Sequence, residues 1–136
     1  MRAIIIDDDQ DILSVYNDYL KQLGHPQAEL VSDPQEFFQN NSIASVIENY
    51  DLVICDVHMP NIKGNQILKE FVDTRQTMNR FPSFILITGV APEYFTFDEQ
   101  GWGSLAAADD ILGKPVEIEE FDHALRRQGF FGKAAG

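Results

Sequence analysis

Short apolar runs alternate along this chain with longer stretches in which apolar residues recur at spacings of three and four. Arg2 to Ile6 is a short β-branched run, the pattern of a buried strand. From Asp9 to Leu23, the positions of Ile12, Leu13, Tyr16, Tyr19, Leu20 and Leu23 predict an amphipathic helix that Gly24 stops. Gln27 to Ser32 holds a second, weaker strand. Asp33-Pro34-Gln35-Glu36 then supplies a cap, a proline at the first helical position and a capping-box acid, opening a helix predicted to run to about Asn49. Leu52-Val53-Ile54-Cys55, bounded by Asp51 and Asp56, is the third strand. Asn61 to Met78 carries Ile67, Leu68, Phe71 and Val72 on one helical face, and Ser83 to Ile87 is a fourth strand. Ala106 to Leu112 holds a short fifth strand, and Val116 to Gln128 closes the pattern as a helix with Ile118, Phe121, Ala124 and Leu125 inward. Strands alternating with helices predict an α/β protein whose parallel sheet is covered on both faces.

One stretch departs from this rhythm. Gly89 to Leu105 has Pro92, Gly101 and Gly103 among Tyr94, Phe95, Phe97 and Trp102, so the helix that alternation calls for has no clear limits. Those rings either rebuild local core or form a partner surface. The pattern reads as one domain over residues 1–128, followed by a flexible tail over residues 129–136 with no evident partner. At 136 residues and 44% hydrophobic, the chain has enough apolar surface for a core without a disulfide or structural metal. Ten Lys+Arg against 22 Asp+Glu leave a formal charge of −12, which argues against nucleic acid and anionic membrane as partners. The single cysteine, Cys55, allows no internal disulfide and reads as a small buried hydrophobe. No apolar run approaches a membrane span or a signal peptide, so the expected compartment is the cytoplasm. No basic recognition helix or catalytic motif follows Gln128, so no DNA-binding output is expected within this sequence.

The chemistry lies in where the polar residues fall. Asp7 and Asp8 follow the first strand, Asp56 the third, Thr88 the fourth and Lys114 the fifth. Parallel strands open their C-terminal ends on one sheet edge, where α/β proteins bind ligands. Three carboxylates gathered there repel one another unless a cation joins them, and hard oxygen donors favour Mg²⁺ or Mn²⁺. A cation, an ammonium and a hydroxyl around one carboxylate suit phosphoryl transfer, with the carboxylate itself as nucleophile.

Asp7-Asp8, then Asp56-Val57-His58-Met59-Pro60 with Gly64, then Thr88-Gly89, then Lys114-Pro115, resemble the receiver domain of two-component response regulators, the chemotaxis type among them. The resemblance runs from about Met1 to Gln128. It implies a flavodoxin-like, doubly wound five-stranded sheet of order 2-1-3-4-5. It further implies that Asp56 accepts a phosphoryl group from a histidine kinase or a histidine phosphotransfer protein, and that phosphorylation switches the binding of a downstream partner. Asp8, Asp56 and the His58 backbone carbonyl would hold Mg²⁺ directly, with Asp7 acting through water. Lys114 would pair with Asp56 or its phosphate, ahead of a cis bond to Pro115. The only catalysis implied is of the domain's own phosphorylation and dephosphorylation. Two features depart from the family: Ile111 stands where the family usually has a switch aromatic, and the stretch from Thr88 to Lys114 is long.

Each residue also has a plainer reading. Asp9 and Asp11 complement the positive end of the first helix. Asp56 alone is compatible with a turn or cap, and Lys114 alone with a solvated surface lysine. The His58 imidazole is either an exposed loop side chain or a modulator of phosphate loss, and His25 and His123 read as surface residues. Two other functions compete. One is a Mg²⁺-dependent phosphohydrolase with an aspartyl nucleophile, although His58 stands where such enzymes want a second Asp. The other is an interaction module that needs no phosphorylation, although Asp7, Asp8, Asp56, Thr88 and Lys114 are all retained.

Overall fold

The computed structural model describes residues 1–89 and 107–133. Its strands are β1 (Ala3–Ile6), β2 (Glu29–Val31), β3 (Leu52–Asp56), β4 (Ser83–Thr88) and β5 (Asp110–Gly113). All are parallel, in the order β2-β1-β3-β4-β5. Successive residues on a strand point to opposite faces, and the core divides accordingly. Ile4, Ile6, Val53, Cys55, Phe84 and Leu86 face one side; Ala3, Ile5, Leu52, Ile54, Ile85 and Ile87 face the other. Every one of these is buried because helices cover both faces, which is why the strands read as unbroken apolar runs. The Cys55 thiol is wholly buried, as expected.

The first face packs against α3 (Ile43–Asn49) through Val46 and Ile47, and against α4 (Gly64–Met78) through Ile67, Leu68 and Phe71. The second packs against α1 (Gln10–Gln22) through Leu13, Tyr16 and Leu20, and against α5 (Ile118–Arg127) through Phe121, Ala124 and Leu125. Asp9 caps α1, its side chain accepting from the Asp11 and Ile12 amides. The single helix expected from Asp33 to Asn49 is two: α2 (Pro34–Asn40) and α3. Asn41 is extended between them, and Ser42 caps the second by accepting from the Ser45 amide at 3.1 Å. Asn40 and Asn41 turn their amides onto the Glu36 and Phe37 carbonyls, the local competition that makes such residues poor in helix interiors.

Three other expectations need correction. The helix expected from Asn61 begins only at Gly64, because Asn61 takes a left-handed φ of 70° within the turn that follows β3. The tail was expected to lack a partner, yet Phe130 packs against the second core face and the Lys133 amide donates to the Gly24 carbonyl at 3.0 Å. That approach is so close that a Cβ at Gly132 would overlap the Leu23 carbonyl. His25, expected at the surface, is 8% exposed with its Nε2 buried and unpaired; His123 is exposed as expected. The aromatic stretch of Tyr94, Phe95, Phe97 and Trp102 lies outside the described residues.

Burial holds the His25 imidazole below its ordinary range, against a partial counter-effect from Asp122. Its folded-state value therefore lies below the 6.5 of an unperturbed histidine. Stability from neutral His25 is complete above 6.5 and declines as pH falls from there through the folded value. Urea unfolding between pH 7.5 and pH 5, about the range in which histidines titrate, is expected to lose midpoint more steeply with acidification in wild type than in His25→Gln.

Candidate functional site

Four strand ends deliver the polar residues to one edge. Asp7 directly follows β1, and its amide donates to the Val31 carbonyl, so the backbone is held between β1 and β2 at that point. Asp56 is the last residue of β3, Thr88 the last of β4, and Lys114 follows Gly113 of β5. The Lys114 amide donates to the Thr88 carbonyl at 2.8 Å, and the Lys114–Pro115 peptide bond is cis. Asp7, Asp56 and Thr88 are buried, Asp8 and His58 are exposed, and Lys114 is half-buried. Carboxylate oxygens of Asp7, Asp8 and Asp56 all lie within 4.8 Å of one another.

Lys114 Nζ stands 3.4 Å from Asp7 Oδ2 and 3.3 Å from Asp56 Oδ1. The latter is a contact of charges only: Asp56 Oδ1 is shut off from solvent and accepts no well-directed hydrogen bond. Burial raises the Asp56 carboxyl above its ordinary value, opposed by Lys114 and the His58 backbone amide and reinforced by the Asp8 charge. Burial likewise raises Asp7, against a hydrogen bond from the Asp9 amide and with repulsion from Asp56. Burial alone would lower the Lys114 ammonium, but Asp56 and Asp7 outweigh it and raise it. One ammonium thus serves two buried carboxylates and leaves both short of stabilisation. A buried, unsatisfied carboxylate oxygen in a cluster of hard donors is a fit for a divalent cation.

Gly64 shapes the site from behind. It opens α4 with its amide donating to the Val57 carbonyl at 3.0 Å, and a Cβ on it would overlap the Asp56 carbonyl oxygen. Gly64→Ala is therefore expected to lower stability by about 2 kcal/mol, as overpacking does, and to displace the chain around Asp56. Thermal unfolding and the amide shifts of Asp56–His58 would report both effects. Burial lowers the His58 imidazole from its ordinary value, and the Lys63 and Lys114 charges add to this. Ile111 is half-buried against the α3–α4 side of the core.

Two residues near the site carry more than the pattern credited to them. Tyr16 and Tyr19 read as apolar-face residues of α1, yet burial, and after it the Asp7 and Asp56 charges, raise the Tyr16 hydroxyl above its ordinary value. Tyr19 Oη donates to the Val116 carbonyl at 3.1 Å, just beyond Lys114. The available signal was the choice of tyrosine on a packing face, since a half-buried phenol needs a partner.

The match to known proteins follows this geometry. Residues 3–126 match the family model described as the response regulator receiver domain, and the chain belongs to that family. Response regulator SaeR of Staphylococcus aureus (strain USA300) is 27% identical over 117 residues, covering 86% of this chain and 45% of SaeR. The chain thus spans less than half the length of the curated relatives it matches. A CheY-like response regulator receiver domain from Methylobacillus flagellatus superposes with a TM-score of 0.69 at 22% identity, covering 94% of this chain and 98% of that one. The chemotaxis protein CheY4 of Vibrio cholerae gives 0.69 at 22% identity, over 93% of this chain and 96% of its own. These likenesses agree with the flavodoxin-like fold and its strand order. Neither the phosphohydrolase nor the phosphorylation-independent module is favoured by this membership. Among the described residues, no helix is long and apolar enough to cross a membrane.

Proposed function

We propose that Asp56 is the phosphoacceptor of a phosphorelay and that its phosphorylation switches the binding of a partner protein. The observation that carries this is the buried Asp56 oxygen, unsatisfied by hydrogen bonds and 3.3 Å from Lys114 at the strand-end rim. An Asp56 carboxylate oxygen attacks the phosphorus of a phosphohistidine. The O–P bond forms as the N–P bond breaks, and the leaving imidazole keeps the bonding pair and takes a proton from solvent. Lys114 moves its charge from the carboxylate pair toward the phosphoryl oxygens, and the Thr88 hydroxyl donates to one of them. Asp8 and Asp56 with the His58 backbone carbonyl would hold Mg²⁺ or Mn²⁺ directly, and Asp7 would act through water. A bound cation supplies charge neutralisation at the incoming phosphoryl group. The His58 imidazole, exposed beside Asp56, modulates loss of the phosphoryl group. Catalysis is confined to the domain's own phosphorylation and dephosphorylation.

The donor is a histidine kinase or phosphotransfer protein in the cytoplasm. A groove of about 440 Å³ beside Lys114, lined by Ile12, Val15, Tyr16, Tyr19, Pro115 and Val116, supports a protein donor with an apolar face. Exposed Asp11, Asp18 and Glu117 neighbour lining residues in sequence, so basic residues at the donor's rim suit it. Nucleic acid is not the downstream partner under this reading, because the net charge of −12 disfavours it. The test is intact-mass spectrometry after incubation with acetyl phosphate, with and without Mg²⁺. One phosphoryl group gained only with the metal supports the reading; a folded protein that gains none, even from a histidine phosphodonor, overturns it.

A further inference from the structure

The loop that carries Lys114 is fixed at both ends to different elements. At its start the Lys114 amide donates to the last residue of β4, Thr88, at 2.8 Å. At its end the Val116 carbonyl accepts from Tyr19 Oη of α1 at 3.1 Å, a bond between residues 97 positions apart. The Lys114 side chain leaves the backbone between these two points to reach Asp7 and Asp56.

The donor of the second bond is itself rigidly placed. The Tyr19 ring meets Phe121 of α5 edge-on, with centroids 5.5 Å apart, and Tyr16 stacks on the same ring at 5.7 Å. Phe121 is 1% exposed. The position of the hydroxyl is therefore set by packing between α1 and α5, and the loop is tied to that packing through one hydrogen bond. A phenylalanine would fill the same space against Phe121. The hydroxyl is the part of Tyr19 that acts on the loop.

We propose that Tyr19 is a positioning residue for the phosphoryl-accepting site: its hydroxyl anchors the Lys114–Val116 loop to α1 and keeps the ammonium directed at Asp56 and Asp7. The part concerning reaction rate rests on the reading of Asp56 as phosphoacceptor; the part concerning Lys114 does not. Without the hydroxyl, the loop keeps its attachment to Thr88 and pivots about it, so Lys114 spends more time away from the carboxylates.

The test uses Tyr19→Phe in the full chain, with Tyr50→Phe as a hydroxyl deletion elsewhere. Trace acylation with acetic anhydride, read by peptide mass spectrometry, compares Lys114 with Lys21, Lys69 and Lys133 in the same sample. Tyr19→Phe is expected to raise Lys114 reactivity about fivefold, the factor for one neutral hydrogen bond, to leave the other lysines near their wild-type values, and to lower the melting temperature by only about 2–5 °C. Phosphoryl uptake from acetyl phosphate with Mg²⁺ is expected to slow by a similar factor. Unchanged Lys114 reactivity, or a rise shared by all four lysines, overturns the anchor. A selective rise in Lys114 reactivity with unchanged uptake overturns its role in the reaction. If wild type takes up no phosphoryl group while Tyr19→Phe still exposes Lys114 alone, the anchor stands and the phosphoacceptor reading fails.

Discussion

Asp56→Asn is expected to take up no phosphoryl group from acetyl phosphate and Mg²⁺ under conditions in which the wild type takes up one. Asparagine keeps the size of the side chain and one oxygen, but an amide oxygen is not a useful nucleophile at neutral pH. The neighbouring carboxylates are poor substitutes. Asp7 Oδ1 accepts from the Asp9 amide at 2.9 Å and its Oδ2 faces Lys114, while Asp8 is exposed at the rim. Intact-mass spectrometry reads the result directly, and an adduct that survives in the variant would move the acceptor elsewhere. A second consequence separates lost chemistry from lost folding. Burial raises the Asp56 carboxyl in the folded state, so carrying its charge there costs stability relative to the unfolded chain. Asp56→Asn removes that charge and is expected to raise the melting temperature in chelator, while shrinking the further rise that Mg²⁺ gives the wild type.

Lys114→Met should act in the opposite direction. It leaves Asp7 and Asp56 without the ammonium that lies 3.4 and 3.3 Å away. Removing one partner of a fully buried ion pair costs about 3–5 kcal/mol. The Lys114 side chain is 24% exposed, so water screens part of the interaction and about 2 kcal/mol is the expected loss in chelator at pH 7. The pH dependence follows from the raised carboxyls. A carboxyl raised in the folded state contributes stability below its unfolded value of 3.8, and that contribution is lost as pH rises through the folded value. Removing Lys114 raises both further, so the gap between variant and wild type should open as pH climbs above 3.8. It should close again in strong base, where Lys114 itself, raised above its ordinary 10.5, loses its proton. Mg²⁺ should stabilise the variant more than the wild type, since the cation then meets carboxylates with no other counter-charge. Denaturant titrations across pH, with and without Mg²⁺, check all three. Equal stabilisation of the two proteins by Mg²⁺ would show that the cluster and the ammonium are not coupled.

The elements were readable where the physics is local and repeated. The apolar runs at β1, β3 and β4 could only be strands buried on both faces, and the cap at Asp33 marked the start of its helix to the residue. The limits that failed were those decided by a few competing polar groups. Asn40, Asn41 and Ser42 break one apolar periodicity into two helices by hydrogen-bonding to the backbone. Asn61 delays α4 by adopting a left-handed turn. His25 is buried and Phe130 half-buried through contacts between distant segments, which no local pattern contains.

The candidate site divides along the same line. Sequence order alone assigned Asp7, Asp8, Asp56, Thr88 and Lys114 to one rim, because parallel strands in an α/β sheet must open their C-terminal ends together. The amino-acid sequence by itself thus determined the layers of the fold, the edge at which the chemistry gathers and the types of residue gathered there. The tertiary structure decided the interactions among them: that one ammonium is shared by two buried carboxylates, that α4 can approach Asp56 only through Gly64, and that a tyrosine on α1 ties down the lysine's loop. Periodicity along a chain reports which face a residue presents, whereas burial, shared charges and a hydrogen bond across 97 positions exist only once the layers have packed.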